Sequence, residues 1–379
     1  MKTVGIICEY NPFHNGHKKQ IDAIRREFGA DCTIVCLMSG NFVQRGAPAI
    51  FHKSLRAQAA LLSGADLVLE LPITYALSSA EGFAAGGVKI LSGFCDILCF
   101  GAETGDLHSL TSAAKALLSP EFKDALREHL DKGLSFPAAR AAALKEHAEL
   151  LQKPNDILAV EYCKAILSQK STLQPFPIAR QGDYHDTTAD LENPSATSIR
   201  SLLQNSEDWQ QFVPETASKL FVDAPMYFLA AGERAVLSKL RCMTDAEFEA
   251  LPYGSEGLWR KFMHACRSCD CIENIIAATK SKRYTRTRID RMLMCAYLGI
   301  TKEMLEQSVP YTRVLALNDQ GRIALKQARL SGSFPHVGEA TDDPYWTLEQ
   351  RASDLYSLFC TESPSPAGQE ARQRIFFKE

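Results

Sequence analysis

The sequence predicts an α/β fold, a doubly wound parallel sheet followed by a mainly helical C-terminal region. Three observations carry that expectation. Five short β-branched or apolar runs stand in the first half of the chain: Thr3–Cys8, Cys32–Met38, Leu67–Leu71, Asp96–Gly101 and Pro175–Ala179. Helical patterns separate them, among them His52–Ser63, Ala80–Leu91 and Leu107–Leu118, and such alternation implies βαβ units. From about Glu207 the β runs stop and helical patterns take over, such as Asp245–Leu251, Ser255–Cys266 and Ile289–Leu298. The expected organisation is therefore a sheet domain over 1–206, a helical domain over 207–360 and a flexible tail over 361–379, where Ser-Pro-Ser-Pro-Ala-Gly occurs.

The bulk properties fit two packed domains. A chain of 379 residues with 46% hydrophobic content can bury sizeable cores. A net charge of −3 excludes a uniformly basic nucleic-acid binder, so any RNA site must be a local patch. The opening MKTVGIICEY enters a strand at once, and no signal peptide is expected. The most apolar stretch, Gly82 to Phe100, carries Lys89 and Asp96 and is expected to be a helix and a buried strand rather than a membrane span. Cysteines set in apolar runs (Cys8, Cys36, Cys99, Cys295) point to reduced, buried thiols and a cytoplasmic setting.

The first strand leads into the most informative segment, Ile6 to Gln20. The run Thr3–Cys8 stops at Asn11-Pro12, and His14-Asn15-Gly16-His17 precedes a helical pattern beginning near Lys18. A helix N-terminus attracts anions through its N–H groups and dipole. His14 and His17, about one turn apart, can address the same phosphate oxygens, and Gly16 leaves room for an adenine or ribose against the backbone. His-x-Gly-His directly after an N-terminal strand resembles the signature of the nucleotidyltransferase superfamily, whose members catalyse attack on the α-phosphate of a nucleotide. The bland alternative is a histidine-capped helix start with no ligand.

In a doubly wound sheet, ligands sit at the carboxyl ends of the strands. After the second strand comes Ser39-Gly40-Asn41-Phe42-Val43-Gln44-Arg45-Gly46, with Lys53 and Arg56 on the next helix; these cations contact RNA or phosphate, or are surface charges. After the fourth comes Phe100-Gly101-Ala102-Glu103, and Pro154-Asn155-Asp156 opens the helix Ile157–Ser168. The fifth strand ends at Arg180, and a polar loop leads to Ser195-Ala196-Thr197-Ser198-Ile199-Arg200. Its hydroxyls cap a helix or bind phosphate, and Arg200 suits a leaving pyrophosphate.

In the helical region, Lys280, Lys282, Arg283, Arg286, Arg288 and Arg291 are opposed in their run by Asp290 alone, and Tyr284 offers a stacking face. This is the natural RNA contact of an otherwise acidic chain, the alternative being a solvated helix face. His264, Cys266, Cys269 and Cys271 loosely suggest a zinc knuckle, but so tight a Cys-x-Cys step suits zinc poorly on a helix and no metal is expected.

These blocks together resemble the tRNA(Met) cytidine acetate ligase family of bacteria over almost the whole chain. They are Gly5 to His17, Met38 to Gly46, Phe100 to Glu103, Ser195 to Arg200 and Lys282 to Arg288. The resemblance implies a Rossmann-like nucleotidyltransferase domain and a tRNA-binding helical domain. ATP, expected as its magnesium complex, and acetate would give acetyladenylate, and the wobble cytidine N4 of elongator tRNA(Met) would then take the acetyl group. It implies catalytic roles for His14, His17 and Arg200, with Lys18 assisting departure of pyrophosphate. ATP contacts would fall on Ile7, Cys8, Glu9, Tyr10, Asn11, Pro12, Phe13, His14, Asn15, Gly16, His17, Lys18, Lys19 and Gln20, and on Gly101, Asn155 and Arg180. The tRNA contacts would be Lys282, Arg283, Tyr284, Arg286, Arg288 and Arg291. No general base for the second step stands out.

Two rivals remain at this level. An adenylyltransferase acting on a small phosphorylated cofactor precursor would explain His14, His17, Thr197 and Arg200 equally well, but not a second helical domain with a basic segment. A non-catalytic RNA-binding module would have no need of both histidines.

Overall fold

The computed structural model describes residues 2–134, 136–179, 194–307, 311–331 and 344–378. The strands are β1 (Thr3–Cys8), β2 (Thr33–Ser39), β3 (Phe42–Val43), β4 (Ala47–Pro48), β5 (Leu67–Leu71), β6 (Ile97–Ala102), β7 (Gln174–Ala179), β8 (Arg313–Asn318) and β9 (Phe376–Lys378). Seven of them form one sheet in the order β7-β6-β1-β2-β5-β8-β9, and β3 pairs with β4 in a small hairpin. The five strands read from the sequence run parallel, so the α/β expectation holds there. The residues of β2 and β5 are buried along their whole length, as continuous apolar runs in a sheet covered on both faces should be. Pro175 and Pro177 are tolerated in β7 because it is an edge strand.

From β1 the chain winds through β2 to β5 on one side and returns to β6 and β7 on the other. The reversal between β1 and β6 opens a crevice at their carboxyl ends, where an α/β sheet binds ligands. One face of the sheet is covered by the helices Asn15–Phe28 and Lys53–Leu62 with Trp209, Phe212 and Phe221. The other face is covered by Ala80–Leu91, Leu107–Leu118 and Pro154–Ser168. A third core belongs to the helical region (Phe262, Ile275, Ile289, Leu293, Phe359) and takes in Phe42, Ile73 and Leu77 from the sheet region, so the two regions share packed surface.

Three expectations need correction. Residues 209–221 pack on the sheet face, so the helical region does not begin at 207. The second half of the chain does contain β structure: β8 pairs antiparallel with β5, and β9 lies parallel to β8. The segment 361–379 is not a loose tail along its described length, because it supplies β9 and the buried Glu370. An edge strand recruited from far along the chain carries little local signal, since its partner rather than its own periodicity selects its conformation.

Glu370 explains why the chain returns. Lys53 is buried at the start of its helix, its Nζ 2.6 Å from Glu70 Oε1 and 2.6 Å from Glu370 Oε1. Arg313 pairs with Glu370 and stacks over the Trp346 ring at 4.5 Å, and Ser353 donates to the same carboxylate. Glu349, beside them, accepts from Ile73 N at 2.7 Å, and burial followed by the charge of Glu70 pushes its carboxyl up to about 7. Burial pulls the Lys53 ammonium down. Lys53 is therefore neither an RNA ligand nor a surface charge; it is the centre of a buried ion cluster joining five distant segments.

Candidate nucleotide-binding site

A cavity of about 490 Å³ opens at the carboxyl ends of β1 and β6. The segment after β1 enters it with Tyr10 in the left-handed region (φ 46°) and a cis Asn11–Pro12 peptide. The helix then begins at Asn15, three residues before the expected start. His14 is its N-cap: its Nδ1 accepts from Gly16 N at 3.1 Å, while His17 Nδ1 accepts from His14 N at 3.3 Å. Two imidazoles thus form a reciprocal capping box, filling the roles usually taken by Ser/Thr and Glu. Accepting through Nδ1 assigns the neutral rings the Nε2–H tautomer. The rings stack with centroids 3.7 Å apart, and Tyr10 and Phe13 pack against His17 at 4.7 and 5.6 Å. The helix-cap alternative and the ligand alternative are consequently compatible, since capping uses one nitrogen of each ring.

The other expected ATP residues divide. Ile7, Cys8, Glu9, Tyr10, Asn11, His14, His17 and Gln20 line the cavity, as do Gly101 and Asn155. Pro12, Phe13, Asn15, Gly16, Lys18 and Lys19 are not in its lining. Phe13 is core, Asn15 donates to Gln211 O at 3.0 Å, and Lys18 pairs with Asp22 one turn on. The space beside Gly16 belongs to His14, not to a nucleotide: a Cβ there would stand 2.9 Å from His14 Cε1. Arg180 lies outside the described residues.

Each wall is fixed by its own bonds. Glu103 accepts from Asn155 N at 3.2 Å, Asn155 Nδ2 at 2.7 Å and Asp156 N at 2.7 Å, so its carboxylate caps the helix Pro154–Ser168 and sets Asn155 beside Gly101. Ser195 caps the helix Ala196–Gln204 by accepting from Ser198 N at 3.0 Å. Arg200 Nη1 donates to Asn11 O at 2.6 Å and Nη2 to Thr197 Oγ1 at 3.1 Å, holding the guanidinium against the β1 loop. Arg56, completely buried, donates to the carbonyls of Glu9, Ser39 and Gly40 and, at 2.9 Å, of Phe51. It is neither a ligand nor a surface charge but the tie between the loops after β1 and β2.

The far wall was not legible in the sequence. Thr287 and Arg291, from the helix Arg286–Leu298, line the cavity together with Val43, Gln44 and Arg45. Gly46, at φ 76°, holds them there: the backbone of Asp290 and Arg291 occupies the place of its missing Cβ. Arg291 is half-buried, its guanidinium 5.1 Å from the Tyr253 ring, with the buried Nε lacking a hydrogen-bond partner. Its expected place in an RNA patch is therefore corrected to the cavity wall.

The rest of the basic run changes too. Tyr284 is 9% exposed, donates its hydroxyl to Glu256 O at 2.7 Å and lies beneath Arg288, so it offers no open stacking face. Arg286 is engaged by Glu273 (2.7 and 2.9 Å) and Asp290, and Arg288 by Tyr253 O and Ser255 Oγ. Lys280, Lys282 and Arg283 stay exposed, and Lys261 Nζ reaches Lys280 O at 3.3 Å, with Arg260 adjoining it. Of the cysteine cluster, Cys266 is buried, and no group of His, Cys, Asp or Glu able to hold a metal occurs among the described residues. No helix among the described residues is long and apolar enough to cross a membrane.

Comparison with known proteins agrees with this geometry. The family described as HIGH nucleotidyl transferase matches residues 1–371. A tRNA(Met) cytidine acetate ligase of Acetivibrio thermocellus is 38% identical, covering 99% of this chain and 99% of its own. That of Clostridium novyi is 40% identical, covering 88% and 89%. Thermotoga maritima TmcAL superposes in its apo form with a TM-score of 0.92 at 31% identity, and bound with alpha-thio ATP with 0.90 at 32%. Both alignments span the whole of each chain.

Proposed function

The chain belongs to the tRNA(Met) cytidine acetate ligase family, and we propose that it uses ATP and acetate to form N4-acetylcytidine at the wobble position of elongator tRNA(Met). It is an ATP-dependent carbon–nitrogen ligase that releases AMP and pyrophosphate. The observation that carries the reading is the pair of imidazoles that cap their own helix while facing one cavity with Arg200. A cofactor adenylyltransferase would need only that half. Here a helix from the second region completes the cavity wall with Thr287 and Arg291.

In the first step a carboxylate oxygen of acetate attacks the α-phosphorus, the bond to the bridging oxygen breaks, and pyrophosphate leaves. Such a reaction is chiefly positioning and charge stabilisation. His14 and His17 present Nε2–H donors to phosphate oxygens as charge builds, Arg200 neutralises the departing pyrophosphate, and Gly101 and Asn155 flank the nucleoside. Glu9 is the single carboxylate in the cavity lining among the described residues. Magnesium brought with ATP would supply further charge neutralisation at the phosphates. In the second step the cytidine amine, a weak amide-like nucleophile, attacks the mixed anhydride.

The tRNA approaches from the helical region, where Lys261, Lys280, Lys282 and Arg283 form the exposed cationic surface. The reaction belongs in the cytoplasm, with its tRNA and ATP. Labelled acetate should enter cytidine of total bacterial tRNA only with ATP, releasing AMP and pyrophosphate. Replacing Lys261, Lys282 and Arg283 by alanine should weaken tRNA capture and flatten its salt dependence, by up to about 0.9 in log–log slope per lost phosphate contact. Transfer of AMP to a small acceptor, with no acetylated tRNA, would instead favour the cofactor enzyme.

A further inference from the structure

The acetyl-transfer step needs a proton acceptor, because a cytidine N4 that has attacked a carbonyl carbon carries one proton too many. Titratable side chains in the cavity lining sort by chemistry. Arg45, Arg200 and Arg291 are cations without acceptors. Burial pushes the Cys8 thiol and the Tyr10 and Tyr162 phenols up, so they stay protonated. His14 and His17 each spend Nδ1 as an acceptor from backbone N–H, which leaves their other nitrogen as a donor. What remains among the described residues is Glu9.

Glu9 is well placed for the second substrate. It follows β1 directly, half-buried, and its carboxylate lies near the Tyr162 phenol, whose charged form it helps disfavour. Its Oε1 accepts from Gln44 N at 2.7 Å, and its own carbonyl is held by Arg56. The carboxylate is thereby held beside Gln44, in the cavity whose lining also includes Arg45 and, from the helical region, Thr287 and Arg291, with Oε2 left for a donor.

Resting on the ligase reading, we infer that Glu9 is the general base of acetyl transfer, accepting the N4 proton of the incoming cytidine. The amine nitrogen forms a bond to the acetyl carbonyl carbon. The tetrahedral intermediate collapses with cleavage of the carbon–oxygen bond to the phosphate, and AMP leaves with the electron pair. The proton passes from N4 to Glu9 Oε2 and then to solvent, so no further reactant is required.

The test separates the two half-reactions in the full chain. Acetate-dependent ATP–pyrophosphate exchange reads adenylation, and single-turnover transfer from preformed acetyladenylate to tRNA reads the second step. Glu9→Gln keeps an acceptor oxygen for Gln44 N. It should slow transfer by about 10²-fold or more, the usual share of general-base catalysis, while exchange falls by much less. Glu9→Asp should recover part of the transfer rate. Unchanged transfer in Glu9→Gln, or equal loss of exchange and transfer, would overturn the assignment. If the wild-type chain exchanges pyrophosphate but never acetylates tRNA, the ligase reading itself fails, and that outcome is visible before any variant is made.

Discussion

At the scale of single residues, each histidine of the motif has two jobs on two nitrogens. Nδ1 completes the helix start, and Nε2–H is the donor that the proposed reaction would direct at phosphate. Substitution therefore costs stability and rate by separate amounts. His17→Ala should lower stability by about 1 kcal/mol, the worth of a cap bond. It should lower acetate-dependent pyrophosphate exchange by about 10²–10³-fold, as when a preorganised transition-state donor is lost. Binding of tRNA should stay nearly intact; parallel loss of binding and exchange would make His17 a purely structural residue. That His14, His17 and Arg200 sit at capped helix starts on one cavity was legible because the signal is local: spacing on a helix start and a hydroxyl-x-x-Arg element. Arg56 and Lys53 were misread, because an isolated basic residue on a helix looks alike whether it meets solvent or buried carboxylates and carbonyls.

At the scale of elements, the helix Arg286–Leu298 joins the two halves of the site. Its second turn lies against the β3–β4 turn at Gly46, whose positive φ and missing side chain allow backbone to touch backbone. A Gly46→Ala change should cost about 1–3 kcal/mol from the φ alone, with the overlap against Asp290 and Arg291 adding to it. Because Arg291 would move with the helix, a raised KM for ATP should accompany the lower melting temperature. A lower melting temperature with unchanged KM would show that Arg291 does not act on the nucleotide. Periodicity placed the helix, with a start at Ile289 against the observed Arg286, but not its neighbour. Charge counting along the run likewise missed Glu273, which lies outside it and engages Arg286.

At the scale of the molecule, the chain crosses between its regions repeatedly. Residues 209–221 cover the sheet, the helical core follows, β8 rejoins the sheet, the helix Pro344–Tyr356 returns to the helical core, and β9 closes the sheet edge. Glu370 ties the last of these passes to Lys53 and Arg313. Removing residues 361–379 leaves two buried cations short of a carboxylate, so urea denaturation should show a loss of about 3–5 kcal/mol, the cost of breaking a buried pair. An unchanged midpoint would mean that the segment is the loose tail its composition suggests.

The sequence by itself determined what short-range periodicity and spacing encode. That includes the five parallel strands, their order of alternation with helices, the histidine helix start and the capped helix carrying Arg200. It also determined the family, since the motif string is long enough to be specific. Tertiary packing alone settled which charges are spent inside the protein, where the last two strands go, and that Arg291 lines the cavity while Lys261 joins the exposed basic surface. The reason is physical. Hydrogen bonding and hydrophobic alternation act over a few residues and leave a periodic trace in the chain. Burial and charge pairing depend on which distant segments meet, and the strength of an ion pair depends on the dielectric that the whole fold creates around it.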